Sequence, residues 1–433
     1  MFRLIVEPEH GLIDTPRTIR VTGVPPGDEV VISATTVRQG IRWTGYAVFQ
    51  ADASGKVDTA LHAPLENRES TTYHSTSRMG LIWSQNPQLD SARQLFNQSV
   101  FDPLRTQVSA QSGLLSDSVE MLQTLVDDGV KRIEVEEDDL CGTIFVPAGE
   151  GPFPAIVVLN GSGGGINEPR AALYASRGYL AFALGYFKAP GRSDFISNTE
   201  LRYFENAINW LRENYRPKGS FVAVSGQSRG GELALLLGAT FPQIVSAVIA
   251  YVPSAFVHSA QNAADPELGR EGPTWLLDGK PLPHIWEGNR YASWEPYEDG
   301  PAPHRHELAM RTALEDTDAI ERARIRVERI RAPILLLSGG DDGSWPSSLY
   351  CQQIVDRLKA HDFPYEVRWL DIEKAGHQIL FPFVPTTQNI HIHPVSMIEH
   401  TSGGEAEADA QANEQSWAEV RLFLGRAFNK GRV

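Results

Sequence analysis

The chain has 433 residues, of which 42% are apolar and 21% charged, and it carries a formal net charge of −15. That length predicts two domains, and that composition predicts a globular protein with a sizeable core. The charge argues against nucleic acid or an anionic membrane as the main partner, because both need a positive field.

No apolar run approaches the roughly 20 residues of a membrane span. The start "MFRLIVEPEHG" lacks a basic region followed by a long apolar stretch, and the end "NKGRV" carries no targeting tripeptide. Cytoplasmic residence is therefore the expectation. The two cysteines, Cys141 and Cys351, lie far apart, form no metal-ligand or CxxC pattern, and read as free thiols.

From the N-terminus to about residue 64 the chain reads as short strands. "TIRVTGV", "EVVISATTV" and "GYAVFQADASGKVDTA" alternate apolar with polar residues, with "PPGD" and "ASG" as turns. Strands at this spacing predict a small β-sandwich, placed at residues 1–117. Residues 67–117 are less regular. From residue 118 to the end the pattern is that of a second, catalytic domain.

"KRIEVEEDDLCGTIFVPAGEGPFPAIVVLN" supplies three strands. Helices and strands then alternate: "EPRAALYASRG" helix, "YLAFALGY" strand, "TELRYFENAINWLREN" helix, "SFVAVSG" strand, "GGELALLLGATF" helix and "SAVIAYV" strand. This alternation predicts a mostly parallel sheet covered on both faces, and burial on both faces explains apolar runs without a period of two. Residues 258–331, rich in Pro, Gly, Trp and charge, read as a surface insertion that lines or covers a pocket. "APILLLSGG", "SLYCQQIVDRLKAHD" and "YEVRWLDI" resume the strand, helix and strand order. "EQSWAEVRLFLGRAFN" closes the chain as an amphipathic helix, with "GGEAEADAQANEQ" as a mobile loop or its lead-in.

The polar turn Gly226-Gln227-Ser228-Arg229-Gly230 lies between a buried strand and a helix. That is the position of a nucleophile elbow of an α/β-hydrolase, where glycines two residues either side permit a strained, closely packed turn. A serine hydroxyl needs a base and an orienting acid, in the chain order Ser, acid, His. "SGGDDGSWPS" supplies the acid, with Asp342 favoured and Asp341 left as the alternative. "EKAGHQI" supplies His377, the one histidine of twelve with both the right order and the right loop. An oxyanion hole needs two backbone donors. The N–H of Arg229 is one, and the glycine loop "LNGSGGG" supplies the other, at Gly163 and Gly164 beside Gly161 and Gly165. That loop lacks the GK[ST] ending and the G-x-G-x-x-G spacing of a phosphate or dinucleotide site, and the chemistry requires no cofactor and no metal. "HRH" (His304, His306) and "HIH" (His391, His393) read as surface or loop residues. His258 has the position to line the pocket, without a catalytic role. For Arg229, an ion pair with Glu232 one turn later is favoured over contact with an anionic substrate.

Together these blocks resemble the acyl-CoA thioesterases related to bile acid-CoA:amino acid N-acyltransferase. "GYAVFQADASGKVDTA" with "MGLIWSQNP" is similar to that family's N-terminal domain. "VPAGEGPFPAIVVLNGSGGGINEPRAALYASRGYLAFALGYF", "LRYFENAINWL", "PILLLSGGDDGSWPS" and "AGHQI" are similar to its catalytic domain. The resemblance covers nearly the whole chain. It implies a two-domain α/β protein with Ser228 as nucleophile, Asp342 as acid and His377 as base, acting on an acyl-CoA or related thioester. The family's acyltransferases use Cys at the nucleophile and its hydrolases mostly Ser, so Ser228 points to hydrolysis. Transfer to an amine, and a carboxylesterase or dienelactone-type hydrolase, stand as alternatives. The run Arg229, Gly230, Gly231, Glu232 departs from the family's apolar residue, Gly, small residue and Asp.

Overall fold

The computed structural model describes all residues except 67, 69, 70 and 431–433. It forms two compact units. The first holds 1–127 with 380–389 and 405–415, and the second holds 128–379 with 390–404 and 416–433.

The first unit is built from two sheets. Arg3–Glu7, Thr18–Thr22 and Lys56–Asp58 form an antiparallel sheet of three strands, and a sheet of six strands is centred on Glu29–Arg38. Glu29–Arg38 pairs with Ile41–Gln50 across a loop of two residues, Gln39 and Gly40, with φ of 46° and 82°. Two positive φ values in a two-residue loop match the twist that a tight hairpin needs. Alternate residues of both sheets, among them Val21, Val57, Ile32, Phe49 and Val108, share one buried cluster, and each such side chain contributes about 1.5–3 kcal/mol when fully buried.

This unit extends to residue 127, ten residues past the expected boundary at 117. Leu115–Thr124 pairs along its length with Leu104–Ser112, so the hairpin cannot be divided. That hairpin also accounts for the end of the stretch that reads as irregular, from residue 104 on. Its inward face includes Thr106, whose Oγ1 lies 2.7 Å from Thr36 Oγ1, so hydroxyl pairs fill part of the face where large aliphatics would announce a strand.

The second unit is an eight-stranded sheet: β1 (Lys131–Val135), β2 (Cys141–Val146), β3 (Ala155–Leu159), β4 (Leu180–Gly185), β5 (Val222–Gln227), β6 (Ala247–Tyr251), β7 (Ile334–Gly339) and β8 (Val367–Ile372). In space the strands run 1-2-4-3-5-6-7-8. Strand β2 is antiparallel to both β1 and β4, and the other pairs are parallel. Helices α1 (Glu168–Ala175), α2 (Arg202–Tyr215), α3 (Arg229–Thr240) and α4 (Ser347–Ala360) lie in the crossovers. The helix α5 (Ala406–Lys430) has 25 residues. It takes up "AEADAQANEQ", so all of the expected loop or lead-in except Gly403, Gly404 and Glu405 forms the first turns of the helix, as its many Ala and Glu residues favour.

Residues 258–331 are inserted between β6 and β7 and supply Gln261, Asn262 and His306 to the lining of a cleft, but the segment is not confined to the surface. Trp275 and Ile285 are fully buried there, and Trp286 and Trp294 stack at 4.2 Å, all within the main core cluster. Pro and Gly break the segment into short pieces, so no period reveals its buried face.

Candidate active site

Strand β5 turns into α3 at Ser228, whose φ of 59° and ψ of −119° lie where a residue with a Cβ is strained. The turn is held by Ser228 N–H donating to Tyr251 O (2.9 Å) and by Glu232 N–H donating to Ser228 O (2.9 Å). The flanking glycines answer to space. A Cβ on Gly226 would lie 2.1 Å from Gly230 O, and one on Gly230 would lie 2.5 Å from Asn160 O.

His377 follows β8. Its Nε2 lies 2.7 Å from Ser228 Oγ and its Nδ1 lies 2.8 Å from Asp342 Oδ2. With Nδ1–H donating to the carboxylate, Nε2 is left to accept the Ser228 proton. The other oxygen of Asp342 accepts from the N–H groups of Ser344 (2.8 Å) and Trp345 (3.1 Å) in the loop after β7. Asp341 points elsewhere: it pairs with Arg305 at 3.0 Å and accepts from Gly404 N–H at 3.0 Å. The two loops converge because their glycines leave room, since a Cβ on Gly339 would lie 2.4 Å from Ala375 O.

The glycine loop after β3 reaches the same place. A Cβ on Gly161 would lie 3.5 Å from Ser228 Cβ. Of the two glycines expected to donate to an oxyanion, Gly164 does not: its N–H is spent on Gly161 O at 3.1 Å, closing a turn. Among the described residues the N–H groups of Ser162 and Gly163 have no acceptor. Arg229 opens α3, where first-turn N–H groups lack helical partners and the helix dipole is positive.

Arg229 itself is buried. It pairs with Glu232 at 2.8 Å and also donates to Ser259 O (2.8 Å) and Gln261 Oε1 (3.2 Å). Burial pushes the Glu232 carboxyl up, opposed by Arg229 and by a hydrogen bond from Trp275 Nε1 at 2.8 Å. His258, fully buried, belongs to the same network through Gln261 (3.1 Å) and Tyr350 (3.2 Å), and burial with the nearby Arg229 charge holds it well below the usual imidazole range.

A small cleft of about 80 Å³ adjoins Ser228 and is lined also by Ser162, Arg229, His306, His393 and His400. The sequence reading missed these histidines, taking two of them for surface or loop residues and leaving His400 unconsidered. His306, His393 and His400 are each 3–4% exposed, while His304 is half-buried and its Nδ1–H donates to Tyr297 O (2.9 Å). The short hairpin Ile390–Ile392 with Glu399–Thr401 aligns His391 opposite His400, ring centroids 4.3 Å apart. The period of two in "HIH", which puts His391 and His393 on one face of a strand, was the available signal. Among the described residues no group of side chains could hold a metal ion.

The strand order, the elbow at the end of β5 and the Ser–His–Asp relay define an α/β-hydrolase. Residues 199–430 match the family model "BAAT / Acyl-CoA thioester hydrolase C terminal", and residues 14–137 match "Acyl-CoA thioester hydrolase/BAAT N-terminal region". The chain belongs to the acyl-CoA thioester hydrolase/BAAT family. It is 30% identical to human acyl-coenzyme A thioesterase 2, mitochondrial, over 97% of this chain and 83% of that protein. To the mouse protein of that name it is 29% identical, over 97% of this chain and 88% of the relative. To mouse bile acid-CoA:amino acid N-acyltransferase it is 27% identical, over 98% and 97%.

Proposed function

We propose that the chain is a serine thioesterase that cleaves an acyl-CoA thioester to a free acid and CoA through an acyl-enzyme. The observation that carries this reading is the unbroken relay from Ser228 Oγ through His377 to Asp342, at 2.7 and 2.8 Å, in a chain of this family.

In this reading His377 Nε2 takes the Ser228 proton as Oγ attacks the thioester carbonyl. The N–H of Arg229 and an N–H at Ser162 or Gly163 receive the oxyanion. Collapse breaks the C–S bond, and His377 returns the proton to the departing thiolate. Water, deprotonated by His377, then attacks the ester on Ser228, and as the acyl–oxygen bond breaks His377 returns the proton to Ser228 Oγ and the acid leaves. Asp342 fixes the imidazole tautomer throughout and stays ionised.

Thiol release from a panel of acyl-CoA compounds, together with fluorophosphonate labelling, tests it. Labelling lost in Ser228→Ala and release with at least one acyl-CoA support the reading. Turnover of simple esters with no release from any acyl-CoA would sink it. Similarity to the mouse N-acyltransferase supports a second reading, transfer of the acyl group to an amine. Amide product, sought by mass after adding glycine or taurine, separates the two.

All residues in this reading belong to the second unit. The first is proposed as a sandwich domain of the family's N-terminal type. Among the described residues no helix is long and apolar enough to cross a membrane. The cytoplasm is the proposed compartment, supported by the buried free thiols Cys141 and Cys351.

A further inference from the structure

The glycine loop after β3 contains a turn whose tip borders the cleft. Gly164 N–H donates to Gly161 O at 3.1 Å, which makes Ser162 and Gly163 the two central residues. The turn is pinned at its base, because Asn160 Nδ2–H donates to Gly164 O and Tyr186 O–H donates to Asn160 O at 2.6 Å. Gly161 stands against the nucleophile, and Ser162, the next residue, lines the cleft together with Ser228 and His377.

His393 holds the Ser162 side chain. It sits at the mouth of the loop between Ile390–Ile392 and Glu399–Thr401, where its N–H donates to Ile398 O (2.9 Å) and its carbonyl accepts from Met397 N–H (2.9 Å). Its Nδ1 accepts from the N–H groups of Val395 (3.2 Å) and Ser396 (3.3 Å), so the ring proton is on Nε2. Burial holds the imidazole down at about 3, which keeps it neutral near pH 7. The Nε2–H therefore donates to Ser162 Oγ at 2.9 Å. Loop and turn also meet beside this contact, since a Cβ on Gly163 would lie 3.4 Å from Pro394 Cγ.

One hydrogen is left over. The Ser162 oxygen accepts from His393, so its own hydrogen points elsewhere, and among the described residues it has no acceptor. The residue is partly exposed where it borders the cleft that a thioester carbonyl must enter to reach Ser228 Oγ. A hydroxyl that already accepts a hydrogen bond is a stronger donor. Such a donor gains most as the carbonyl oxygen becomes an anion, and only a gain of that kind accelerates the chemical step.

Resting on the thioesterase reading, we propose that Ser162 is a catalytic residue whose hydroxyl donates to the oxyanion beside the backbone N–H groups, and that His393 is the positioning residue that aims it. The pair transfers no proton.

The test measures kcat and KM for the fastest acyl-CoA of the panel and for p-nitrophenyl acetate, whose hydrolysis also forms an oxyanion at Ser228. The proteins are full-length wild type, Ser162→Ala, Ser162→Thr, His393→Phe and the double variant Ser162→Ala with His393→Phe. Ser162→Ala is expected to lower kcat on the order of 10²-fold with KM little changed, as loss of one oxyanion donor does. Ser162→Thr keeps the hydroxyl and is expected to return kcat to within about tenfold of wild type. His393→Phe is expected to cost about tenfold alone and almost nothing further in the Ser162→Ala background, where no hydroxyl remains to be aimed.

A kcat loss below about tenfold in folded Ser162→Ala, or a loss carried by KM alone, overturns the inference. An equal loss from His393→Phe in both backgrounds overturns the positioning role and makes His393 a support of its loop. A wild type that cleaves p-nitrophenyl acetate but no acyl-CoA sinks the thioesterase reading, while the Ser162 variants on that ester still decide this one. If His393→Phe fails to fold, Ser162→Ala and Ser162→Thr decide.

Discussion

Asp342 holds His377 by a single 2.8 Å contact to Nδ1, while its second oxygen is itself held by two backbone N–H groups, those of Ser344 and Trp345. The carboxylate is thus fixed before it fixes the imidazole. Asp342→Asn keeps the shape but offers an amide N–H where the imidazole needs an acceptor, which favours the wrong tautomer. We expect kcat for thioester hydrolysis to fall on the order of 10³–10⁴-fold with KM little changed. Asp341→Asn, which touches Arg305 rather than His377, is expected to stay within about threefold of wild type. Steady-state kinetics on both variants check the pair, and a larger loss at Asp341 would reverse the assignment.

Arg229 and Glu232 form a buried ion pair at 2.8 Å. Removing one partner leaves the other charge without compensation, a loss of about 3–5 kcal/mol, whereas apolar replacement of both is often close to neutral. Arg229→Met is therefore expected to lower the denaturant midpoint sharply, and Arg229→Met with Glu232→Leu to recover only part of it, because Ser259 O, Gln261 and Trp275 Nε1–H lose their partners as well. Unfolding curves for the two single variants and the double variant measure the coupling. Additive losses would show that the pair is not the stabilising unit.

Ser228, Asp342 and His377 were legible because an elbow, a strand-end loop and a late histidine occur in a fixed order around a sheet whose apolar runs announce themselves. The cleft was not. His306 and His400 lie in segments without periodicity, and only the pairing of 390–392 with 399–401 brings His391, His393 and His400 together. The extent of the first unit was hidden too, because 380–389 and 405–415 belong to it through long-range contacts that no local pattern encodes, such as Thr387 Oγ1–H donating to Gln85 O (2.8 Å) and Ala410 packing in the cluster of Ile32 and Phe49.

Gly230 tests the elbow by space alone. Gly230→Ala would put a Cβ 2.5 Å from the backbone oxygen of Asn160, which cannot move without the glycine loop. We expect a stability loss of about 1–3 kcal/mol and a drop in fluorophosphonate labelling of Ser228, because the shifted loop is the one that reaches the nucleophile. Thermal unfolding and labelling rate, measured together, check this. A variant normal in both would mean that the turn is not tightly packed.

The buried histidines set a pH dependence of stability. His306, His393 and His400 have folded values of about 3, 3 and 4, below the ordinary 6.5. Between those values the unfolded chain binds protons that the folded chain does not. Stability conferred by keeping them neutral is therefore complete above about pH 6.5 and is lost as pH falls toward 4. Each group contributes a slope of up to about 1.4 kcal/mol per pH unit. Denaturant unfolding at pH 7, 6 and 5 measures the slope, and His400→Gln should flatten it by about one group's share. An unchanged slope in that variant would show that His400 ionises in the folded chain.

In the proposed reaction the acyl group passes through Ser228. Mixing the protein with an acyl-CoA substrate, quenching in acid within milliseconds and mapping the digest by mass spectrometry tests this most directly. The expected result is one peptide, spanning Ser228, heavier by the acyl group and absent in Ser228→Ala. An acyl adduct on another residue, or rapid CoA release with no adduct at any quench time, would contradict it.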